Sequence, residues 1–108
     1  MNQGDELQRQ IADIGTRYLK RTLGELEQLR ALLAQARAGS RESLRELSRM
    51  AHKINGSGAM FGFDSVSERA YEIERLAISE TPAIEDLEAH LAALEDEVRK
   101  QVQLREIP

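Results

Sequence analysis

The chain has 108 residues, enough for one domain, and carries 15 basic against 19 acidic side chains, a net charge of −4. It contains no cysteine, which excludes disulfides, thiolate zinc sites and cysteine nucleophiles and fits a reducing cytoplasm. The acidic balance argues against a nucleic-acid binder, and there is neither a signal sequence nor a long apolar run, so we expect a cytoplasmic protein without a membrane span.

The first predicted helix runs from about Asp5 to about Ala38, with apolar side chains recurring every three or four residues. Gly15 and Gly24 interrupt this run, and glycine costs a helix about 1 kcal/mol relative to alanine. A break near Gly15 would divide the single domain, 1–108, into a short leading helix or arm, 1–15, and a helical bundle, 16–104.

The second predicted helix follows the pair Gly39-Ser40. Glycine suits the left-handed position just past a helix end, and serine can cap the next helix. This helix has an apolar face that reaches Ile54, and we expect it to end within residues 56–62, where three glycines fall in seven residues.

Two more helices are predicted after the glycine stretch. The third starts at Asp64-Ser65, because Ser65 and Glu68 have the spacing of a capping box. Thr81-Pro82 marks the start of the fourth, since proline is favoured at the first helical position. Short connections make neighbouring helices pack antiparallel, so we predict an all-α, antiparallel up-down four-helix bundle, with or without a short additional N-terminal helix.

The two histidines differ in their surroundings. His90 lies beside the apolar stripe of the last helix, and nothing near it in the sequence favours chemistry. His52 points roughly 130° away from the core direction of the second helix, at about 100° per residue, so we expect it to face solvent. An imidazole in that position can act as a nucleophile near neutral pH.

On the surface predicted around His52, the residues on the C-terminal side are small and the others are basic. Gly56, one turn on, has no side chain, and Ala59 has only a methyl group. Arg45, Arg49 and Lys53 flank the same surface and could attract an anion such as a phosphoryl group. From these residues alone, an ordinary surface histidine beside a glycine-rich helix end explains the pattern equally well.

Residues 52–63, HKINGSGAMFGF, resemble the signature of histidine-containing phosphotransfer (HPt) domains. In that family a histidine is followed four residues later by glycine, then by serine and small residues, and then by a Phe-Gly or Leu-Gly pair. Arg17-Tyr18-Leu19 is also similar to the segment that opens the family's first bundle helix. Many members carry a lysine three residues after the histidine, whereas here Asn55 stands there and Lys53 follows His52 directly.

The resemblance implies that His52 accepts a phosphoryl group and exchanges it with the aspartate of a response-regulator receiver domain. It also implies a docking surface whose matching positions, with the flanking arginine, are Ser48, Arg49, Lys53, Asn55, Gly56, Ala59 and Arg45. The donor would be a sensor or hybrid histidine kinase in a two-component phosphorelay. On this view the chain is a monomeric phosphocarrier, not an enzyme. It has no cofactor or metal of its own, and the magnesium ion sits on the receiver partner.

Rival interpretations remain open at this point. The chain could be a receiver-docking adaptor or a structural helical bundle that does not carry phosphate. A metal-binding bundle is disfavoured, because no Glu-x-x-His pair of the di-iron type occurs. Neither end has the composition of a linker, which favours a free-standing protein over a domain cut from a larger sensor kinase, including one of the chemotaxis type.

Overall fold

Four α-helices make up the structure, a computed structural model that describes residues 3–106. They are α1 (Gln3–Arg37), α2 (Arg41–Met60), α3 (Asp64–Ala77) and α4 (Ile84–Glu106). Each packs against two others, in the cyclic order α1, α2, α3, α4. The all-α, up-down four-helix bundle predicted from the sequence is confirmed. Among residues 3–106, no helix combines the length and the apolar character that crossing a bilayer requires.

The core lies along the axis of the bundle and draws on all four helices. Leucine predominates in α1 and α4, while smaller side chains line α2 and α3 where these two helices approach each other. Burying such side chains is the main source of stability for a bundle without disulfides. The buried apolar residues are Tyr18, Leu19, Leu26, Leu29, Leu33, Ala36, Leu47, Ala51, Ile54, Phe63, Val66, Ala70, Ile73, Ala77, Leu87, Leu91, Leu94 and Val98.

α1 is one continuous helix, so the break expected near Gly15 is wrong and no separate leading helix forms. Gly15 has a packing role instead: a Cβ atom there would lie 3.2 Å from the guanidinium carbon of Arg105. The same guanidinium donates a hydrogen bond of 3.1 Å to the carbonyl oxygen of Ala12. Every side chain of residues 3–14 is exposed, and we call this part of α1 the arm.

The helix ends agree with the sequence in part. Ser40 caps α2 as expected, with its hydroxyl accepting a 3.2 Å hydrogen bond from the backbone N–H of Ser43. α3 begins at Asp64, but the capping box predicted at Ser65 does not form, because Phe63 takes the cap position two residues earlier, without a side-chain cap. α4 likewise begins at Ile84, beyond the Thr81-Pro82 start that the proline suggested.

Candidate functional site

His52 lies on the outer face of α2 with 71% of its side chain exposed, as the helical wheel predicts. The ring is nevertheless held: its Nδ1 atom lies 2.7 Å from Oε1 of Glu74, on α3. A carboxylate only accepts hydrogen bonds, so this contact assigns the proton to Nδ1. In the neutral ring, Nε2 is then the unprotonated nitrogen and the nucleophilic one.

Glu74 is well placed to fix the ring, because its carboxylate is largely buried and its backbone is bonded to α2. Only 21% of its side chain is exposed, and its second carboxylate oxygen is buried without a hydrogen-bond partner among residues 3–106. The buried hydroxyl of Ser48, on α2, donates a 3.2 Å hydrogen bond to the backbone carbonyl of Glu74. The carboxylate therefore has His52 as its only polar side-chain contact in the described range.

Gly56 and Ala59 leave an open area beside the imidazole. α2 continues to Met60, so Gly56 and Gly58 lie inside the helix and do not end it. A Cβ atom added at Gly56 would meet no other atom within 4 Å, and Ala59 is exposed. Another protein's backbone can therefore come close to His52 from this side without a steric clash.

The other two glycines of the stretch have structural roles. A Cβ atom at Gly58 would lie 3.2 Å from the backbone nitrogen of Ser67, so glycine here lets α2 and α3 pack closely. Gly62 has a φ of +83°, which side-chain-bearing residues rarely adopt, and it reverses the chain between the two helices. Of the three glycines, only Gly56 therefore contributes to the open area beside the histidine.

Two of the residues expected on the docking surface turn inward. Ser48 is only 7% exposed and is bonded to α3, so its place on an exposed docking surface is wrong. Asn55 is half-buried, and its side-chain oxygen accepts a hydrogen bond from the hydroxyl of Ser67. Both point at α3 because they lie between the core side of α2 and the outward direction of His52.

A family model matches most of the chain. The model is the Hpt domain, and it covers residues 17–103. The chain belongs to the Hpt domain family. No curated protein and no solved structure matched it in the same comparisons. Hpt domains serve in histidine phosphotransfer within phosphorelays, as phosphocarriers rather than enzymes, and they interact there with receiver domains and kinases.

The cations around the histidine of this Hpt domain are partly engaged by neighbouring carboxylates. Arg45 lies 3.3 Å from Glu42, and Arg49 lies 2.8 Å from Glu46 and 3.8 Å from Glu42. Lys53 is exposed and has no ion pair within residues 3–106. Exposed pairs of this kind contribute little free energy, so the arginines can turn toward an arriving anion at small cost.

A cluster of aromatic rings fixes the end of α2 in this Hpt domain. The ring of Tyr18, on α1, stacks on Phe61 and Phe63, with centroid distances of 4.6 and 5.9 Å. The Tyr18 hydroxyl also lies 2.8 Å from the hydroxyl of Ser57. These contacts hold the glycine-containing turns of α2 against α1. They stabilise a part of the helix that has low intrinsic helix propensity because of its glycines.

His90 contributes nothing to the site. It is half-buried on α4 and borders an open hollow that is lined mainly by α3 and also by Asn55 of α2, but not by His52. Nearby, the Arg75 side chain hydrogen-bonds Glu72 at 2.8 Å, and this contact lowers the pKa of Glu72 below the usual carboxyl range. Within residues 3–106, no three histidine or carboxylate side chains converge as metal ligands would.

Glu74 is the contact of His52 that sequence reasoning missed. One signal for it existed: Glu74 and Ser67 are seven residues apart and so share a flank of α3, beside the apolar face. Only the packing of the two helices shows that this flank faces α2 and that Glu74 contacts His52.

Proposed function

We propose that His52 accepts a phosphoryl group on Nε2 and exchanges it with the aspartate of a response-regulator receiver domain. The observation that carries this proposal is the exposed imidazole with its Nδ1 held by Glu74 and open space beside it at Gly56. The membership of the Hpt domain family supports the same chemistry.

In the transfer step, Nε2 attacks the phosphorus atom of the receiver's aspartyl phosphate in line with the bond that breaks. A P–N bond forms, the P–O bond to the aspartate breaks, and the aspartate leaves as a carboxylate. The ring retains its Nδ1 proton and becomes positively charged. The Glu74 carboxylate, 2.7 Å from Nδ1, stabilises that charge, much as the aspartate of a catalytic triad stabilises an imidazolium.

We propose that the receiver supplies most of the remaining stabilisation. Phosphoryl transfer depends on positioning and on neutralising the charge of the moving oxygens, a role that Mg²⁺ commonly has. We assign that ion to the receiver's acidic pocket, because residues 3–106 contain no carboxylate cluster suited to it. On this chain, Lys53 and the two arginines are the groups that would approach the phosphoryl oxygens.

The proposal includes the partners and the compartment expected from the sequence. A sensor or hybrid histidine kinase would load the relay, and we expect the exchange to take place in the cytoplasm. The open area at Gly56 and Ala59 would receive the receiver's active-site loops, while Arg45, Arg49 and Lys53 would meet its acidic residues.

The decisive experiment uses both histidines of the chain. The purified protein is incubated with phosphorylated receiver domains, and the transferred label is tested for acid lability and base stability. The wild-type protein and His90→Gln should take up such label, and His52→Gln should not, although all three should have the same helical content by circular dichroism.

Two results would contradict the proposal. Label on the His52→Gln variant would show that the acceptor is another residue. Binding of receivers by the wild-type protein with no label at all would favour the adaptor that docks receivers without carrying phosphate.

A further inference from the structure

Glu74 holds the His52 ring from a part of α3 that has little support within its own helix. The helix ends at Ala77, so Glu74 belongs to its last turn, where backbone carbonyls lack partners inside the helix. Helix ends also fray more readily than helix interiors. A residue that orients another side chain from such a position needs an anchor outside its own helix.

The Glu74 carboxylate would also gain hydrogen bonds by leaving its place. Its Oε2 atom is buried and has no hydrogen-bond partner within residues 3–106. A buried carboxylate oxygen without a partner costs free energy, which a rotation of the side chain into water would recover. The contact with His52 opposes that rotation only weakly, because most of the imidazole is itself exposed to solvent.

The hydroxyl of Ser48, on α2, supplies an anchor. It is buried, and its 3.2 Å hydrogen bond goes to the backbone carbonyl of Glu74, one of those that the end of α3 leaves without an intrahelical partner. The carbonyl of Leu76, two residues further on, is satisfied locally by the backbone N–H and the hydroxyl of Ser79. Ser48 therefore caps the last turn of α3 from a different helix.

We infer that Ser48 is a positioning residue of the site: by anchoring Glu74, it sets the orientation of the His52 ring. α2 holds Glu74 at two points, the carboxylate through His52 and the backbone through Ser48. These two residues are four positions apart, which is about 6 Å along α2 and about 40° around it. Two attachments at this separation restrict both the position of Glu74 along α2 and the rotation of α3 about its own axis.

The effect of Ser48 on transfer rests on the proposed function, whereas the orientation of the ring is a property of the protein alone. Without the Ser48 hydroxyl, the Glu74 carboxylate is still present but spends part of its time turned toward water. Loss of this one neutral hydrogen bond should therefore slow transfer roughly threefold, less than the removal of the carboxylate itself. Ser48 is buried and does not face an arriving receiver, so the receiver concentration for half-maximal rate should not change.

The first test measures the tautomer of His52 in the protein alone, from the ¹⁵N chemical shifts of its ring. The wild-type ring should carry its proton on Nδ1, which Glu74 accepts. Ser48→Ala should move the ring part of the way toward the Nε2–H tautomer, and Glu74→Ala should move it further. Alanine preserves the helix, since it is the best helix former.

Ser67→Ala is the matched control. Ser67 is buried like Ser48, and its hydroxyl joins the same two helices in the reverse sense, by a 2.9 Å hydrogen bond from α3 to the backbone carbonyl of Asn55 on α2. Its loss should lower the midpoint of thermal unfolding at least as much as the loss of the Ser48 hydroxyl. The tautomer of His52 should nevertheless stay as in the wild-type protein, because Ser67 does not contact Glu74.

The second test is a double-mutant cycle in the transfer assay with a phosphorylated receiver domain. Because Ser48 acts through Glu74, Ser48→Ala should slow transfer in the wild-type background and have no further effect in Glu74→Ala. Ser67→Ala should leave the transfer rate unchanged in both backgrounds.

An unchanged tautomer in Ser48→Ala, or the same change in Ser67→Ala, would overturn the role given to Ser48. Equal slowing by Ser48→Ala with and without Glu74 would also overturn it, as would a higher half-maximal receiver concentration at an unchanged maximal rate, which would assign Ser48 to docking. If no receiver phosphorylates the wild-type protein, the proposed function fails, and the tautomers of the three variants still decide whether Ser48 orients the ring.

Discussion

Glu74 offers the sharpest test of how the site works. Replacing it with alanine removes the acceptor that holds His52 Nδ1 at 2.7 Å, and the stabilisation of the charged ring is lost with it. A hydrogen bond to a charged group contributes about 1.5–3 kcal/mol, and the low end applies here because 71% of the His52 side chain is exposed. A loss of about 1.5 kcal/mol corresponds to roughly tenfold slower transfer.

Glu74→Gln should have a smaller effect. Its amide oxygen can still accept the Nδ1 proton, but the negative charge is gone, so about half of that free energy is lost and transfer slows roughly threefold. The assay is rapid-quench transfer from a phosphorylated receiver. Glu72→Gln is the control, because it removes the same charge two residues away on a different face of α3, where Glu72 pairs with Arg75 and not with His52.

A spectroscopic measurement distinguishes loss of the His52 ring's orientation from general disruption of the fold. The ¹⁵N shifts of the His52 ring should report the Nδ1–H tautomer in the wild-type protein and a shift toward the Nε2–H tautomer in Glu74→Ala. Wild-type transfer rates in Glu74→Ala, or an unchanged tautomer, would refute the role given to this carboxylate.

The remaining predictions concern the glycines of α2 and one ion pair. Gly56→Ala should stabilise the fold by about 1 kcal/mol, or about 4 °C in Tm, because the added methyl group meets open space, while Gly56→Leu should slow transfer by obstructing the receiver. Gly58→Ala should destabilise the fold in the same denaturation assay by about 1 kcal/mol or more, because its Cβ meets the backbone of Ser67 at 3.2 Å and overpacking outweighs helix propensity. An NMR titration should show that Arg75→Gln raises the pKa of Glu72 toward its ordinary value. Because the folded pKa is the lower one, any stabilisation by this pair is present above the ordinary carboxyl range and is lost as the pH falls. Equal stability changes at the two glycines, wild-type transfer by Gly56→Leu, or an unmoved Glu72 titration would each contradict the corresponding argument.

The features that the sequence predicted correctly are those that depend on residue spacing within a single helix. The outward direction of His52 and the open area at Gly56 follow from the angle between successive residues, and both are present in the structure. The bundle itself follows from four amphipathic segments joined by short connections. These features need no knowledge of which helix packs where.

The sequence did not predict the side-chain contacts that form where two helices pack together. Ser48 lies at the edge of the outward face, and only the position of α3 buries it. Glu74 is 22 residues from His52 along the chain, and no local pattern connects them. The capping box at Ser65 had the right spacing, but Phe63 packs into the core and takes the cap position of α3 two residues earlier.

The contact of Tyr18 with the end of α2 has a consequence for the thermodynamics of docking. Glycine-containing turns lose much conformational entropy when they become ordered, and a partner that had to order them would bind more weakly. The stacked rings and the hydroxyl of Tyr18 impose that order within the folded chain. Under the proposed function, a receiver would therefore meet a surface that is already ordered, and the free energy of its contacts would be available for affinity and for aligning the phosphorus atom with Nε2.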